Sequence, residues 1–363
     1  MKKVLFGITG LTLGGAERVL VDIANSLSDK YDITIFTFYA KGEFEKELRP
    51  NIKRISIFDK TFKELTKSEK RKISLDLLFR KKYLYNKYVK GDFDVEIAFL
   101  EGPVTRLFAA KNKNVRKIAW VHNDMNRVFG DSFKAKLKIM LEKKSYESYE
   151  RLIFVSKDNL NSFENNLKID KPKQIIYNYI DSENVKKNAS EPIDTKLDPN
   201  SINIVSVSRL VEQKGVDRWI RVHSKLKKEG SNQKVYIIGD GPKREELENL
   251  IKQEKVEDSF ILLGKQPNPY PFIKMCDYFA LFSYFEGYGM VLEEAKILGK
   301  NILITDTAAR EAVDGYANAK VFPNTEEGLT EGLRTITEKP NGEETSAYNN
   351  EARIEEIIEL IGG

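Results

Sequence analysis

Short apolar, β-rich runs alternate with helical stretches from the first residues onward, and the alternation starts over once, after residue 200. Such a pattern specifies parallel sheets covered by helices on both faces, because each parallel connection has to cross back over its sheet. Strands are expected at Val4–Ile8, Ile33–Phe38, Ile52–Ile57, Val95–Leu100, Lys117–Val121, Leu152–Val155 and Gln174–Tyr177. A second series is expected at Ile202–Val207, Lys234–Ile238, Phe260–Leu263, Tyr278–Phe282 and Asn301–Ile304. The polar stretch Asp181–Asn200, with Pro192 and Pro199, reads as the linker. The expectation is therefore an α/β chain with one Rossmann-like domain over residues 1–185 and another over 200–340. A terminal helical segment over 345–363 is detached from the second sheet and free to pack elsewhere. Length agrees, since 363 residues exceed the ~250 at which a single core usually stops growing.

Composition removes several function classes. Cys276 has no partner for a disulfide, and with only His122 and His223 beside it neither a cysteine nor a histidine metal centre can be assembled, which leaves carboxylate-bound magnesium open. No apolar run approaches the ~20 residues that span a bilayer. The start, Met1-Lys2-Lys3-Val4-Leu5-Phe6, turns polar too soon for a signal peptide, so a cytoplasmic protein is expected. The net charge of +5 hides an asymmetry: residues 1–200 carry 39 Lys+Arg against 28 Asp+Glu, and residues 201–363 carry 21 against 27. A basic first half suggests an anionic partner, with solubility as the alternative reading. Within it, residues 60–90 hold eleven Lys+Arg and three acidic residues among Phe62, Leu65, Ile73, Leu75, Leu77, Leu78, Phe79, Tyr83, Leu84, Tyr85 and Tyr88. Basic and apolar residues at helical spacing suit either an anionic membrane surface or a solvated helix packed on its own sheet. Nucleic acid is disfavoured, because no recognition module accompanies the charge.

Three segments carry candidate chemistry. The first strand runs into Gly10-Leu11-Thr12-Leu13-Gly14-Gly15-Ala16-Glu17-Arg18, a glycine-rich turn at a helix N-terminus, where backbone amides favour an anion. It is neither a Gly-x-Gly-x-x-Gly fingerprint nor a P-loop, which leaves a nicotinamide dehydrogenase poorly supported. The second half opens with Ser208-Arg209-Leu210-Val211-Glu212-Gln213-Lys214-Gly215, placing Arg209 and Lys214 after a strand, where open α/β sheets bind ligands. Two cations there would neutralise a diphosphate leaving group. The third segment, Ser283-Tyr284-Phe285-Glu286-Gly287-Tyr288-Gly289-Met290-Val291-Leu292-Glu293-Glu294-Ala295, brackets a helix start with the carboxylates Glu286 and Glu294. At ~1.5 Å per helical residue Glu286 and Glu294 stand roughly 12 Å apart, too far for a glycosidase pair but suited to the two ends of an extended ligand. The amides of Gly287, Tyr288, Gly289 and Met290 lie between them. A nucleotide sugar presents sugar hydroxyls, a diphosphate and ribose hydroxyls in that order. Glu293 beside Glu294 leaves the register of the second carboxylate open.

These segments, with Gly239-Asp240-Gly241-Pro242, Ile176-Tyr177-Asn178-Tyr179-Ile180-Asp181 and Leu263-Gly264-Lys265, resemble the family 4 retaining glycosyltransferases of the GT-B fold. The resemblance implies two Rossmann-like domains facing across a cleft, the second binding a nucleoside-diphosphate sugar and the first the acceptor, with the last helix crossing back to the first domain. It implies that Arg209 and Lys214 clamp the diphosphate, Glu286 meets the donor sugar and Glu294 the ribose. Gly239, Gly264 and Lys265 would flank the nucleotide, and Gly14 and Gly15 would line the donor from the first domain. No metal or other cofactor is implied. His122, at the end of Lys117–Val121, is expected to contact the donor sugar or assist proton movement.

The expected function is transfer of a hexose, UDP-linked by expectation, to a glycan hydroxyl with retention at the anomeric carbon. The acceptor is expected to be lipid-linked, with a polyprenyl carrier as candidate, in capsule, exopolysaccharide or other cell-envelope polysaccharide synthesis at the inner face of the plasma membrane. A nucleotide-sugar epimerase of similar fold and a catalytically silent partner subunit are the alternatives.

Overall fold

A computed structural model of the chain describes residues 1–12, 14–110, 115–123, 133–195, 197–340 and 348–363, with side chains from 139 onward in the helix Phe133–Tyr146. Leu13 of the glycine-rich turn and residues 345–347 of the expected terminal segment lie outside these. The chain divides into two compact units, Met1–Ile180 with Asn350–Gly363, and Asp181–Asn349. The first boundary falls a few residues before the expected 185. Asp181 caps the helix Ser182–Asn188 by accepting from the Asn184 amide at 3.0 Å, and Asn268 of the second unit donates to the Asn188 carbonyl at 2.8 Å.

The first unit holds a seven-stranded parallel sheet of β1 (Lys3–Ile8), β2 (Asp32–Tyr39), β3 (Lys53–Phe58), β4 (Val95–Ala98), β5 (Arg116–Val121), β6 (Arg151–Phe154) and β7 (Lys173–Ile175), in the order β3-β2-β1-β4-β5-β6-β7. Val4, Leu5, Phe6 and Ile8 are all out of solvent, the near-continuous apolar run that a strand covered on both faces requires. Gly7 is glycine because the helix Pro103–Phe108 crosses directly over it, and an added Cβ would sit 2.5 Å from Phe108 and Val104. The terminal helix Asn350–Gly362 belongs to this unit, as its detachment from the second sheet implied. It buries Ile357, Leu360 and Ile361, and its last carbonyls accept from Lys2 and Arg116. Cations at a helix C-terminus satisfy orphan carbonyls and the dipole together.

The second unit holds six parallel strands, β8 (Ile202–Val207), β9 (Gln233–Ile238), β10 (Phe260–Gly264), β11 (Tyr278–Leu281), β12 (Asn301–Thr305) and β13 (Ala319–Phe322), in the order β10-β9-β8-β11-β12-β13. Trp219 anchors its core, edge-on to Phe260 at 5.6 Å and Phe282 at 4.7 Å. Both sheets are doubly wound and Rossmann-like, reversing direction between β1 and β4 and between β8 and β11. Open sheets of this kind bind ligands beyond the strand C-termini at such reversals. In the second unit those termini lead directly into the Arg209–Lys214 and Glu286 loops.

Candidate functional site

The loop after β8 is held by backbone contact with the loop after β9. The Leu210 amide donates to the Asp240 carbonyl at 3.1 Å and the Lys243 amide to the Leu210 carbonyl at 3.1 Å. This close approach explains Gly239 and Gly241: a Cβ on Gly239, where φ is +136°, would lie 1.9 Å from the Ser208 carbonyl oxygen, and one on Gly241 2.3 Å from that of Leu210. Arg209 projects into solvent, and no ion pair engages it among the described residues. Gly264 ends β10 with φ +74° and passes the chain to exposed Lys265.

The loop after β11 is fastened to the Arg209–Lys214 loop along its length. The Tyr284 amide donates to the Gln213 carbonyl at 2.9 Å, and Gln213 Nε2 returns a bond to the Phe285 carbonyl at 3.0 Å. Beneath them Arg218, only 4% exposed, donates to the Phe282 carbonyl at 3.0 Å and to Asn324 Oδ1 at 2.9 Å, and its guanidinium stands 4.4 Å over the Tyr284 ring. Burial lowers the pKa of Arg218, but no accessible pH discharges a guanidinium. Asn324 in turn donates to the Tyr284 carbonyl at 2.8 Å. Lys214 Nζ pairs with Glu286 Oε2, and the Ser283 hydroxyl donates to the same oxygen at 3.2 Å. Gln213, Arg218, Ser283 and Asn324 carry no role in the sequence reading, although Gln213 and Ser283 lie inside quoted segments, and a lone Arg on an amphipathic helix reads as solvated.

Glu293 and Glu294 separate cleanly. Glu293 is fully buried, accepts from the Tyr288 hydroxyl and pairs with Lys296 at 2.8 Å, so it shapes the loop from within. Glu294 is half-buried, and its Oε1 accepts from Tyr270 at 3.2 Å. Tyr288 therefore contributes its hydroxyl to Glu293, leaving its backbone as its part in any ligand contact. The helix begins only at Met290, after Gly289 at φ +73° with no side-chain cap. The helical rise thus covers about half of the Glu286-to-Glu294 interval, and the 12 Å expectation does not carry over. Gly287 is exposed, an added Cβ there would meet nothing, and its φ is not left-handed. Neither packing nor backbone strain demands glycine at this position.

In the first unit, Gly14 and Gly15 open the helix Gly15–Leu27, and the Glu17 carboxylate folds back over Gly14, where a Cβ would lie 2.2 Å from Oε2. Burial, opposed by its own backbone amide and reinforced by Glu101, raises the Glu17 pKa. Glu101, after β4, is buried and accepts from the His122 amide at 3.1 Å and from the Asn123 side chain. The His122 ring lies 4.6 Å from that of Phe99 and stacks with Trp120 at 6.1 Å. Desolvation lowers its pKa to about 3, and Nε2 has no hydrogen-bond partner among the described residues. An imidazole with so acidic a conjugate acid is neutral and takes up protons poorly. A neutral imidazole with Nε2 free among the described residues is able to make hydrogen-bond contact. Glu17 and Glu101 were not singled out in the sequence, although Glu17 lies inside a quoted motif.

Residues 60–90 form the helices Lys67–Phe79 and Lys81–Tyr88, broken at Arg80. Their inner face buries Ile73, Leu77, Leu84 and Tyr85, and the Tyr85 hydroxyl donates to buried Glu96, which pairs with Lys117 at 3.1 Å. Their outer side leaves Phe79 75% exposed, with Leu75, Leu78 and Tyr83 also exposed among Arg71, Lys72, Arg80 and Lys82. Among the described residues no helix is long and apolar enough to cross a membrane, and no three His, Cys, Asp or Glu side chains converge.

The family model described as Glycosyltransferase Family 4 matches residues 13–184, and that described as Glycosyl transferases group 1 matches residues 188–354. The chain is 30% identical, over 97% of its length and 94% of the relative's, to the Campylobacter jejuni N-acetylgalactosamine-N,N'-diacetylbacillosaminyl-diphospho-undecaprenol 4-alpha-N-acetylgalactosaminyltransferase. A second C. jejuni alpha-1,4-N-acetyl-D-galactosaminyltransferase, named for a diNAcBac-PP-undecaprenol glycan, is 26% identical over 81% of this chain and 77% of its own. Among solved structures, Anabaena HepE in complex with UDP superposes with a TM-score of 0.72 at 17% identity, covering 99% of each chain, a likeness of fold.

Proposed function

Because the chain belongs to the family 4 glycosyltransferases of the GT-B fold, we propose that it moves a hexose or N-acetylhexosamine from a nucleoside-diphosphate sugar, UDP-linked, to a hydroxyl of a lipid-linked glycan, with retention of anomeric configuration and without a metal. The observation that carries this reading lies at the strand C-termini of the second sheet, where Arg209 and Lys214 stand with Glu286 beside a glycine, Gly287, that no packing among the described residues requires. A glycine without packing or strain to explain it is accounted for by close approach of a ligand. UDP as carrier is supported by the HepE complex, and a polyprenyl-diphosphate acceptor by the substrates named for the C. jejuni relatives.

In the proposed step the bond from the anomeric carbon to the phosphate oxygen breaks and a bond to the acceptor oxygen forms on the same face. The acceptor's proton passes to the departing phosphate oxygen, and the nucleoside diphosphate leaves. Arg209 and Lys214 stabilise the charge that grows on that phosphate, the place a divalent cation would otherwise occupy. Glu286 orients the sugar hydroxyls, Glu294, steadied by Tyr270, takes the ribose, and Gly239, Gly264 and Lys265 border the nucleotide. His122, Gly14 and Gly15 serve the donor and acceptor from the first unit as hydrogen-bond and backbone contacts. The exposed basic and apolar side of residues 60–90 meets the anionic headgroups of the membrane that carries the acceptor, placing the protein on the cytoplasmic face in envelope polysaccharide synthesis.

Thermal shift with a panel of nucleotide sugars tests the donor site. A ligand at a hundred times its Kd adds about 2.7 kcal/mol to the stability of the fold that binds it. No stabilisation by any nucleotide or nucleotide sugar at millimolar concentration removes the assignment. Product mass then separates transfer, which enlarges an acceptor, from epimerisation, which leaves the nucleotide sugar's mass unchanged.

A further inference from the structure

Lys214 and Glu286 are not independent groups. The ammonium and Oε2 are paired, both side chains are largely out of solvent at 18% and 13% exposed, and the Ser283 hydroxyl holds the same carboxylate oxygen. Their loops are fastened by the two Gln213 bonds on one side and by Arg218 and Asn324 beneath. The two charges therefore keep their proximity, unlike a solvent-exposed pair on long side chains, which contributes little. The cation assigned to the diphosphate is thus already neutralised, while Arg209 in the same loop has no ion-pair partner among the described residues.

Resting on the diphosphate-site reading of the second unit, we propose that Glu286 is the internal counter-ion of Lys214 and that donor binding is an exchange. A phosphate oxygen takes the ammonium from the carboxylate, and the released carboxylate turns to the hydroxyls of the transferred sugar. An ammonium is a compact charge on a flexible stem and changes partner readily. A partly buried carboxylate that has lost its cation needs new donors, and sugar hydroxyls supply them. The exchange couples the two halves of the donor. A sugar without phosphate meets a carboxylate already engaged, whereas a nucleoside diphosphate without sugar takes Lys214 and leaves Glu286 uncompensated. Glu286 is then a specificity determinant twice over, favouring the intact donor over free sugar and over the diphosphate product. Because the coupling is a property of binding free energies, it is reciprocal.

The exchange predicts a gain in nucleotide affinity when Glu286 is neutralised, whereas a Glu286 that touches only sugar predicts no change. Titration calorimetry with UDP, and with GDP and ADP in parallel, is run at fixed ionic strength on wild type, Glu286→Gln, Lys214→Met and the double variant, with melting curves to verify the fold. Removing the competing carboxylate is expected to tighten the best-bound diphosphate about threefold to tenfold, the scale of one partly shielded ion pair. The same change in the Lys214→Met background should do nothing, since the competition has no object there. Glu286→Ala repeats the loss of charge without the amide and should shift affinity in the same direction. Unchanged or weaker diphosphate binding by both folded Glu286 variants overturns the exchange, as does tightening that persists without Lys214. If wild type binds none of the three diphosphates at millimolar concentration, the diphosphate site falls and the exchange with it.

Discussion

At the C-terminal ends of the first unit's strands lie Glu17, Glu101 and a His122 held neutral, whereas the corresponding ends in the second unit carry Arg209, Lys214 and Lys265. Those cations belong to the net acidic half of the chain, since residues 1–200 are net basic and residues 201–363 net acidic, and Lys214 among them is paired with Glu286. The surplus cations of the first half cluster instead on the helices Lys67–Phe79 and Lys81–Tyr88. Net charge is a sum over surface, while a site is decided by the few groups that the sheet reversal brings together. A charge count over half a chain therefore does not locate a site within it.

The largest effect expected from breaking this division lies on the helical surface. Replacing exposed Arg71, Lys72, Arg80 and Lys82 by Gln should abolish cosedimentation with anionic vesicles at physiological salt, because each cation near such a surface contributes roughly 1 kcal/mol. Nucleotide-induced thermal shifts should persist. Wild-type protein that ignores anionic vesicles at low salt, or a variant that binds them as well, would leave these helices with no lipid to meet.

Next in size is Lys214→Ala, expected to slow transfer by about 30- to 1000-fold, the loss of roughly 2 to 4 kcal/mol of charge stabilisation at the leaving phosphate. The melting temperature should change little. Near-normal turnover in a folded Lys214→Ala protein would mean that the second edge is basic without being catalytic.

The first edge is sharpened by pH. His122 titrates near 3 and His223 near 4 in the fold, both lowered chiefly by burial, against about 6.5 in an unfolded chain. Their contribution to stability is fully present above about pH 6.5 and is lost as the unfolded chain takes up protons that the fold refuses, down to about 3 for His122. His122→Phe should reduce the acid slope of stability by about 1.4 kcal/mol per pH unit well below pH 6.5. Parallel slopes for variant and wild type, measured by denaturant unfolding from pH 7 to 4.5, would show that His122 accepts a proton in the fold after all.

The smallest effect concerns the Glu294 carboxylate. Tyr270→Phe removes one neutral donor to a half-buried acid and should weaken nucleotide binding about two- to tenfold, near 1 kcal/mol, while Tyr288→Phe should lower stability instead. An effect of Tyr288→Phe on nucleotide affinity with stability intact would reverse the roles given to Glu293 and Glu294.

Local periodicity made most of the fold legible. Twelve strands were readable as apolar runs, but β13 was not, because Ala319–Phe322 is a four-residue edge strand with Lys320 and Val321 exposed and only Phe322 buried. Strands at an edge pack on fewer neighbours and need no apolar run. The candidate site was legible only as motif residues, at Arg209, Lys214, Glu286 and Glu294. Its supports were silent, since Gln213, Arg218 and Asn324 are ordinary polar residues whose partners lie far along the chain, and Ser283 meets Glu286 only through the local shape of the loop.

What the sequence by itself determined was therefore the kind of each element and the residues available to chemistry, because helical and strand periodicities are local and are written in the side chains themselves. The tertiary structure alone decided who meets whom. Lys214 reaches Glu286 across 72 residues because β8 pairs with β11, with Ile204 opposite Tyr278 and Val205 opposite Phe279, so that the loops leaving the two strands emerge side by side. Strand order is set by crossover connections and the packing of whole helices, which no local window contains. For the same reason packing against Phe99 and Trp120 lowers the pKa of His122, and the turn of one helix sent Glu293 inward and left Glu294 beside Tyr270.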